Sequence, residues 1–234
     1  MAMKIMAVRI GDRYGPEYEK YLEEKLPEYD FHWIREERDP KIKLQWNKIF
    51  AMDDNSDEPI CVMDIDVLLI NDYKKIFEFP IEKGQFAVVR NWWKFVPPGE
   101  TPEYTINGGF YKFYPKDTKY IYEKFLERKT FWQRYYIEQG YTTGPINGEQ
   151  NFVEDAVKEK LEMIYLPSAW FTRIDGRPTQ FKSHTVSHIN TMYKKATGNP
   201  YAFLGDEFHP DIKFVHFTHM DNLPHMWDKY SLFV

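Results

Sequence analysis

Apolar and polar positions along this chain follow two rhythms in turn. Lys4–Ile10 is a short apolar run and predicts a first strand. Gly11-Asp12-Arg13-Tyr14-Gly15-Pro16 is a turn, with Pro16 placed to open a helix. Tyr18, Tyr21, Leu22, Lys25 and Leu26 then recur at helical spacing until Pro27. Asp30–Arg35 predicts a second strand, Lys41–Met52 a helix with Ile42, Trp46, Ile49 and Phe50 inward, and Pro59–Met63 a third strand. A β-α-β-α-β order of this kind predicts a parallel sheet with right-handed crossovers, whose ligands bind beyond the carboxyl ends of the strands.

The second half is read in the same way. A short helix is expected around Tyr73–Phe77 and a strand at Phe86–Arg90. A loop rich in Trp, Pro and Gly follows at Asn91–Thr105, then a strand at Ile106–Phe113. Asp117–Arg128, Thr130–Gln139 and Glu149–Leu161 read as helices, and Glu162–Leu166 and Phe214–Phe217 as strands. Residues 172–212 show no clear periodicity and are expected to be irregular, with short elements. No repeat, low-complexity segment or linker interrupts the chain, so one domain over 1–234 is expected, with residues 1–90 as one half and 91–234 as the other.

Composition narrows the class without choosing a function. The chain has 234 residues, a formal net charge of −5 and 18% aromatics. The negative charge and the absence of a Lys/Arg cluster argue against a nucleic-acid partner. Flat aromatic faces suit sugars or bases, and equally a thick core. The single cysteine, Cys61, allows no disulfide within the chain, which points to a reducing compartment. No stretch resembles a signal peptide and none approaches the ~20 apolar residues of a membrane span. A cytoplasmic protein without an integral membrane segment is the expectation.

The candidate chemistry lies at Asp64-Ile65-Asp66, where the third strand ends. Strand alternation puts the two carboxylates on one side and Ile65 on the other. Two acids ending a core strand repel each other and lose hydration unless a divalent cation sits between them. Oxygen ligands suit Mg²⁺ or Mn²⁺, ions that commonly accompany phosphate. The bland alternative is a solvated turn, but apolar runs flank this pair on both sides.

With that pair in place, the order of five motifs and a C-terminal element resembles a GT-A fold glycosyltransferase, closest to the glycogenin-like, family 8-like retaining group. The resemblance implies an α/β, Rossmann-like fold with a mixed, mostly parallel central sheet flanked by helices. It also implies transfer of a hexose from a nucleotide sugar, UDP by analogy, to a glycan or other hydroxyl acceptor. Residues 1–90 would then be the nucleotide-binding half, and 91–234 the sugar- and acceptor-binding half. Val8, Ile10 and Tyr14 would hold the base, Tyr14 alternatively packing the helix entry. Lys48, with Lys43 as competitor, would reach the diphosphate or the sugar. Asp64, Ile65 and Asp66 form the DXD motif that holds Mn²⁺ (or Mg²⁺) and the donor ribose.

Asn107-Gly108-Gly109 resembles the family's Asn-Ser-Gly, with glycine in place of serine; a glycine bulge would look similar. Asn91 stands where relatives often carry a sugar-binding Asp. Gly148-Glu149-Gln150 resembles a Gly-Asp-Gln helix start, which makes Glu149 and Gln150 the catalytic candidates; a plain acid at a helix start would look the same. The family's second acid, one turn earlier, falls on Ile146. Val215-His216-Phe217, followed by Pro224 and Trp227, resembles the family's closing His-Phe…Pro-Trp. The resemblance implies that His216 would be the third metal ligand, with His219 and His225 as substitutes. Trp92 and Trp93 are candidates for an acceptor platform.

Two other readings compete. A haloacid-dehalogenase-type phosphatase also carries apolar residues around Asp-x-Asp, but there the motif normally ends the first strand and is followed by Gly-Thr, where this chain has Leu68-Leu69. A non-catalytic nucleotide-sugar-binding module would fit the replaced serine and the missing acid.

Overall fold

The computed structural model describes residues 2–92, 99, 103–142, 148–175, 186–204 and 207–218. The chain forms two compact units. One comprises Met1–Ile65, Pro80–Val88 and Ile106–Ile164; the other comprises Asp66–Phe79, Val89–Thr105 and Tyr165–Val234.

The first unit opens with β1 (Lys4–Val8), α1 (Pro16–Lys25) and β2 (Asp30–Ile34). Pro16 starts α1 with Glu17 and Glu19 in its first turn and Lys25 in its last, an arrangement that suits the helix dipole. A 3₁₀ helix, Leu44–Asp53, occupies the place where the sequence predicts a helix. Trp46, Ile49 and Met52 recur every third residue and are buried, which is the repeat of a 3₁₀ winding. Phe50, expected inward, is half-buried against Tyr122 at 5.8 Å. β3 (Ile60–Met63) follows, and its four residues are all buried.

The chain then passes through β4 (Val67–Leu69), a short α2 (Lys74–Phe77), β5 (Gln85–Arg90) and β6 (Ile106–Phe113). Next come α3 (Pro115–Glu127), α4 (Lys129–Glu138), α5 (Glu149–Lys160) and β7 (Glu162–Tyr165). The main sheet has six strands in the order β2-β1-β3-β6-β5-β7. β1 pairs in parallel with β2 and β3, as the crossover pattern predicts, and β3 pairs antiparallel with β6. β3 thus has a strand on each side, and its four residues are all buried, as its unbroken apolar run predicts. Trp46 anchors the helical layer, stacked on Phe125 at 5.3 Å and tilted against Phe152 at 6.1 Å.

The second unit holds a three-stranded sheet, β4-β11-β8, built from β4, β8 (Phe171–Asp175) and β11 (Phe214–Thr218). Between β8 and β11 lie α6 (Val186–Thr197) and the two-residue strands β9 (Phe203–Leu204) and β10 (Glu207–Phe208). β8 and α6 correct the expectation of irregular structure over 172–212. In α6, Ile189 and Tyr193 form a buried i, i+4 pair, too narrow a stripe to read among β-branched and polar neighbours. No helix among the described residues is long and apolar enough to cross a membrane.

Candidate functional site

Asp64 follows β3 directly, and its N–H donates to the Gly109 carbonyl on β6 at 2.9 Å. The Lys48 ammonium, only 4% exposed, lies 2.5 Å from Asp64 Oδ1 and donates to the Gly108 carbonyl at 2.8 Å. Gly108 N–H in turn donates to Gln150 Oε1 at 3.0 Å. One glycine of β6 therefore ties the aspartate, through Lys48, to the start of α5. Asn107 is buried, and its Oδ1 accepts from the Gly109 N–H at 2.9 Å, which fixes the strand start locally. Ile65 is buried.

Gly148 sets the approach of α5. It caps the helix with φ at 103°, a left-handed value that only glycine adopts without strain. Glu149, the next residue, is 3% exposed, and its Oε1 accepts from Tyr111 Oη at 3.3 Å. Burial pushes its pKa up to about 7; the charge of Lys48 pulls the other way, Asp64 adds to the rise, and the Tyr111 hydrogen bond lowers it. A helix N-terminus favours a carboxylate, yet here burial outweighs it. Tyr111 is itself pushed well above the ordinary phenol range, by burial first and by Glu149 second.

At the carboxyl ends of β1 and β2, Val8, Ile10 and Tyr14 are half-buried. Tyr14 packs edge-on against Tyr18 at 5.0 Å, and Arg13 lies 4.8 Å over its ring. Arg9 Nη1 holds the Tyr14 carbonyl at 3.3 Å. Glu19 pairs with both Arg9 and Arg35. Burial opposes its charge, but hydrogen bonds from Arg35 and Arg9 prevail and hold its pKa below the usual carboxylate range. This brace was not foreseen, because its three members lie on three separate elements. Tyr111 was missed for a similar reason: nothing in a strand sequence reveals that a buried tyrosine will meet a helix-start acid. Lys43 pairs instead with Glu37 at 3.0 Å.

In the second unit, Asp66 Oδ1 lies 3.3 Å from His216 Nε2. The register explains the meeting. β11 pairs antiparallel with β4, placing His216 opposite Val67, and Phe217 N–H donates to the Asp66 carbonyl at 2.8 Å. Asp64 lies two residues before Asp66, so the covalent chain alone keeps their Cα atoms within about 7 Å. Within the second unit, Asp66 and His216 thus present a carboxylate oxygen and an imidazole nitrogen side by side. Carboxylate oxygen and imidazole nitrogen donors suit a divalent ion such as Mn²⁺.

Asn91 donates its N–H to the Thr105 carbonyl at 2.7 Å, while its Oδ1 is buried with no hydrogen-bond partner among the described residues. Trp92 is 6% exposed, with Nε1 donating to the Ser168 carbonyl at 3.2 Å and its ring 5.5 Å from Tyr193. Its face is thus used inside the protein, which corrects the expectation of an acceptor platform at Trp92. Trp93, Ile146, His219, Pro224, His225 and Trp227 lie outside the described residues. Cys61 is buried and its thiol is pushed up to about 12 by burial, so it is no nucleophile.

The architecture is that of a GT-A glycosyltransferase fold. Among solved structures it is similar to the galactosyltransferase LgtC, determined with donor and acceptor sugar analogs. The match has a TM-score of 0.52 at 12% identity and covers 92% of this chain and 87% of LgtC. Mouse xyloside xylosyltransferase 1 aligns with a TM-score of 0.48 at 13% identity, over 91% of this chain and 84% of its own. GlyE, a glycosyltransferase of Streptococcus pneumoniae TIGR4, aligns with a TM-score of 0.48 at 12% identity over 74% of this chain. The aligned part is 48% of GlyE, so this chain spans about half that protein's length. At these identities the likeness is one of fold. No protein-family model and no curated protein matches the sequence.

Proposed function

We propose that this protein is a metal-dependent glycosyltransferase, glycogenin-like in its motifs, that moves a hexose from a UDP-sugar to a hydroxyl of a glycan or other acceptor. The observation that carries the reading is the meeting of Asp66 with His216 at 3.3 Å, two residues along the chain from Asp64. The β4–β11 register brings the histidine to the acid, and a carboxylate oxygen beside an imidazole nitrogen suits a shared divalent ion. The GT-A fold shared with LgtC supports it.

Asp64, Asp66 and His216 would hold Mn²⁺ (or Mg²⁺), which when bound supplies Lewis-acid support to a leaving diphosphate. The chain's own residues do the rest. Val8, Ile10 and the braced Tyr14 receive the base, and Asp66 and Ile65 border the ribose. Lys48 holds Asp64 in place and adds positive charge near the developing negative charge of the diphosphate. Asn107, Gly108, Asn91 and Gln150 orient the hexose. Glu149 and Gln150 border the anomeric carbon. Gln150 Oε1 already accepts from Gly108, and Glu149 is buried on Tyr111. With these oxygens engaged inside the protein, the role proposed for both residues is to support a cation-like sugar rather than to attack it. In a retaining transfer the acceptor hydroxyl arrives on the face the diphosphate leaves, and no strong protein base is required.

The phosphatase alternative is not favoured, since the acid pair follows the third strand and β3 lies inside a GT-A sheet. Calorimetry with UDP and GDP, each with and without Mn²⁺, tests the reading on wild type and Asp66→Ala. Metal-dependent binding of UDP that is lost in Asp66→Ala is expected. Binding of neither nucleotide under any metal would overturn it, and binding without hydrolysis or transfer would leave a nucleotide-sugar-binding module instead.

A further inference from the structure

Gly108 is enclosed on every side. Its N–H is held by Gln150 and its carbonyl by Lys48, at 3.0 and 2.8 Å. A β-carbon at this position would meet Tyr111 Oη at 3.1 Å, and Gln150 Cβ and Glu149 Oε2 each at 3.2 Å. Those approaches are tighter than packed side chains ordinarily keep. The backbone here is not left-handed, so crowding rather than chain conformation is what disfavours a side chain.

The crowding has one notable source. One oxygen of Glu149 lies 3.2 Å from where a β-carbon at 108 would sit, and the other accepts from Tyr111 Oη at 3.3 Å. The acid is one methylene longer than the aspartate of the motif it resembles, and position 108 is shorter by a hydroxymethyl group than the serine. The two departures are complementary in volume and adjacent in space.

We propose that Gly108 and Glu149 form a size-matched pair that sets where the acid stands, and through it the selectivity of the site for the donor sugar. This rests on the glycosyl-transfer reading above. Gly108 clears the volume that the Glu149 carboxyl uses, and Tyr111 fixes the carboxyl there. Combining Gly108→Ser with Glu149→Asp draws the acid back and sets a hydroxyl beside Tyr111 Oη. The volume is conserved and Tyr111 keeps a hydrogen-bond partner. Either change alone leaves a crowded or a hollow site.

The experiment is a double-mutant cycle of wild type, Gly108→Ser, Glu149→Asp and the combination. It reads kcat and KM for hydrolysis of a panel of UDP-hexoses, UDP–Mn²⁺ affinity, and thermal midpoint. Each single change is expected to lower kcat about tenfold or more, with UDP–Mn²⁺ affinity within about twofold. The combination is expected to return to within about threefold of wild type, with a changed ranking of donors. Losses that simply multiply would overturn the proposal, and so would coupling in thermal midpoint without coupling in kcat. If Gly108→Ser fails to fold, Gly108→Ala introduces the same β-carbon and takes its place in the cycle. Should wild type bind no nucleotide, the glycosyl-transfer reading fails, while the midpoints still decide whether the two positions are matched.

Discussion

Lys48 and Asp64 face each other across 2.5 Å, and the same ammonium reaches the carbonyl of Gly108 at 2.8 Å. Asp64 is held a second time through its main chain, by Gly109. The lysine is thus embedded in protein contacts between the acid pair and β6. That placement bears on how it would act. A lysine that grips the diphosphate strengthens nucleotide binding with or without metal; one that positions Asp64 strengthens the metal-dependent part.

Lys48→Met is therefore expected to weaken Mn²⁺-dependent UDP binding about tenfold or more and to leave the weaker metal-free binding within about twofold. Removing the buried ammonium should also lower stability by about 1–3 kcal/mol. Lys48→Arg keeps the charge but not the compact fit and should fall between. Calorimetry with and without Mn²⁺ separates the two roles. An equal loss in both conditions would show direct contact with the phosphates instead.

Glu149 gives the site a pH signature in stability. Its pKa is near 7 in the folded protein, raised chiefly by burial from an ordinary 4.5. The folded state therefore holds this proton more tightly than the unfolded chain does. The stabilisation is fully present below about pH 4.5 and is lost as pH rises through about 7, amounting to roughly 3 kcal/mol at most. Glu149→Gln removes that proton from the balance. Its stability relative to wild type should increase between pH 5 and pH 8. Parallel denaturation profiles for the two proteins across that range would show that Glu149 titrates normally.

Much of this arrangement could be read before the structure, and the reasons are local. Pro16, the helical spacing of Tyr18 and Leu22, and the unbroken apolar run of β3 each signal their own element, so β1 through β3 stand where the pattern puts them. The Asp pair stands out because apolar runs bracket it, whereas His216 is singled out by the resemblance of Val215-His216-Phe217 to a family motif. Other features depend on partners remote in sequence. β4 follows the Asp pair after a break that continuous hydrophobicity conceals. β8 buries Phe171, Thr172 and Ile174, which is no alternation at all. Trp92 looks like a loop residue in sequence, yet its ring packs against Tyr193 of α6. The tie from Asp64 through Lys48 and Gly108 to Gln150 joins four elements and leaves no periodic trace.

Gly148 connects this site to the fold, and a last prediction isolates what it does. Its φ of 103° belongs to the left-handed region, and a β-carbon there would stand 3.1 Å from Tyr136 Cβ and 3.4 Å from the Trp46 ring. Two separate penalties therefore meet in Gly148→Ala. The backbone penalty is about 1–2 kcal/mol. The contact penalty adds to it, because Tyr136 and Trp46 are fully buried and have little room to retreat. Gly140 supplies the control: its φ is 78°, but a β-carbon there meets nothing within 4 Å. Gly140→Ala should lower the thermal midpoint by the backbone part alone, about 2–6 °C. Gly148→Ala should lower it by clearly more, and should reduce transfer as well, since Glu149 and Gln150 follow directly on the helix that Gly148 caps. Equal midpoints in the two variants would mean that Tyr136 and Trp46 accommodate the methyl group, and that the left-handed turn alone fixes the start of α5.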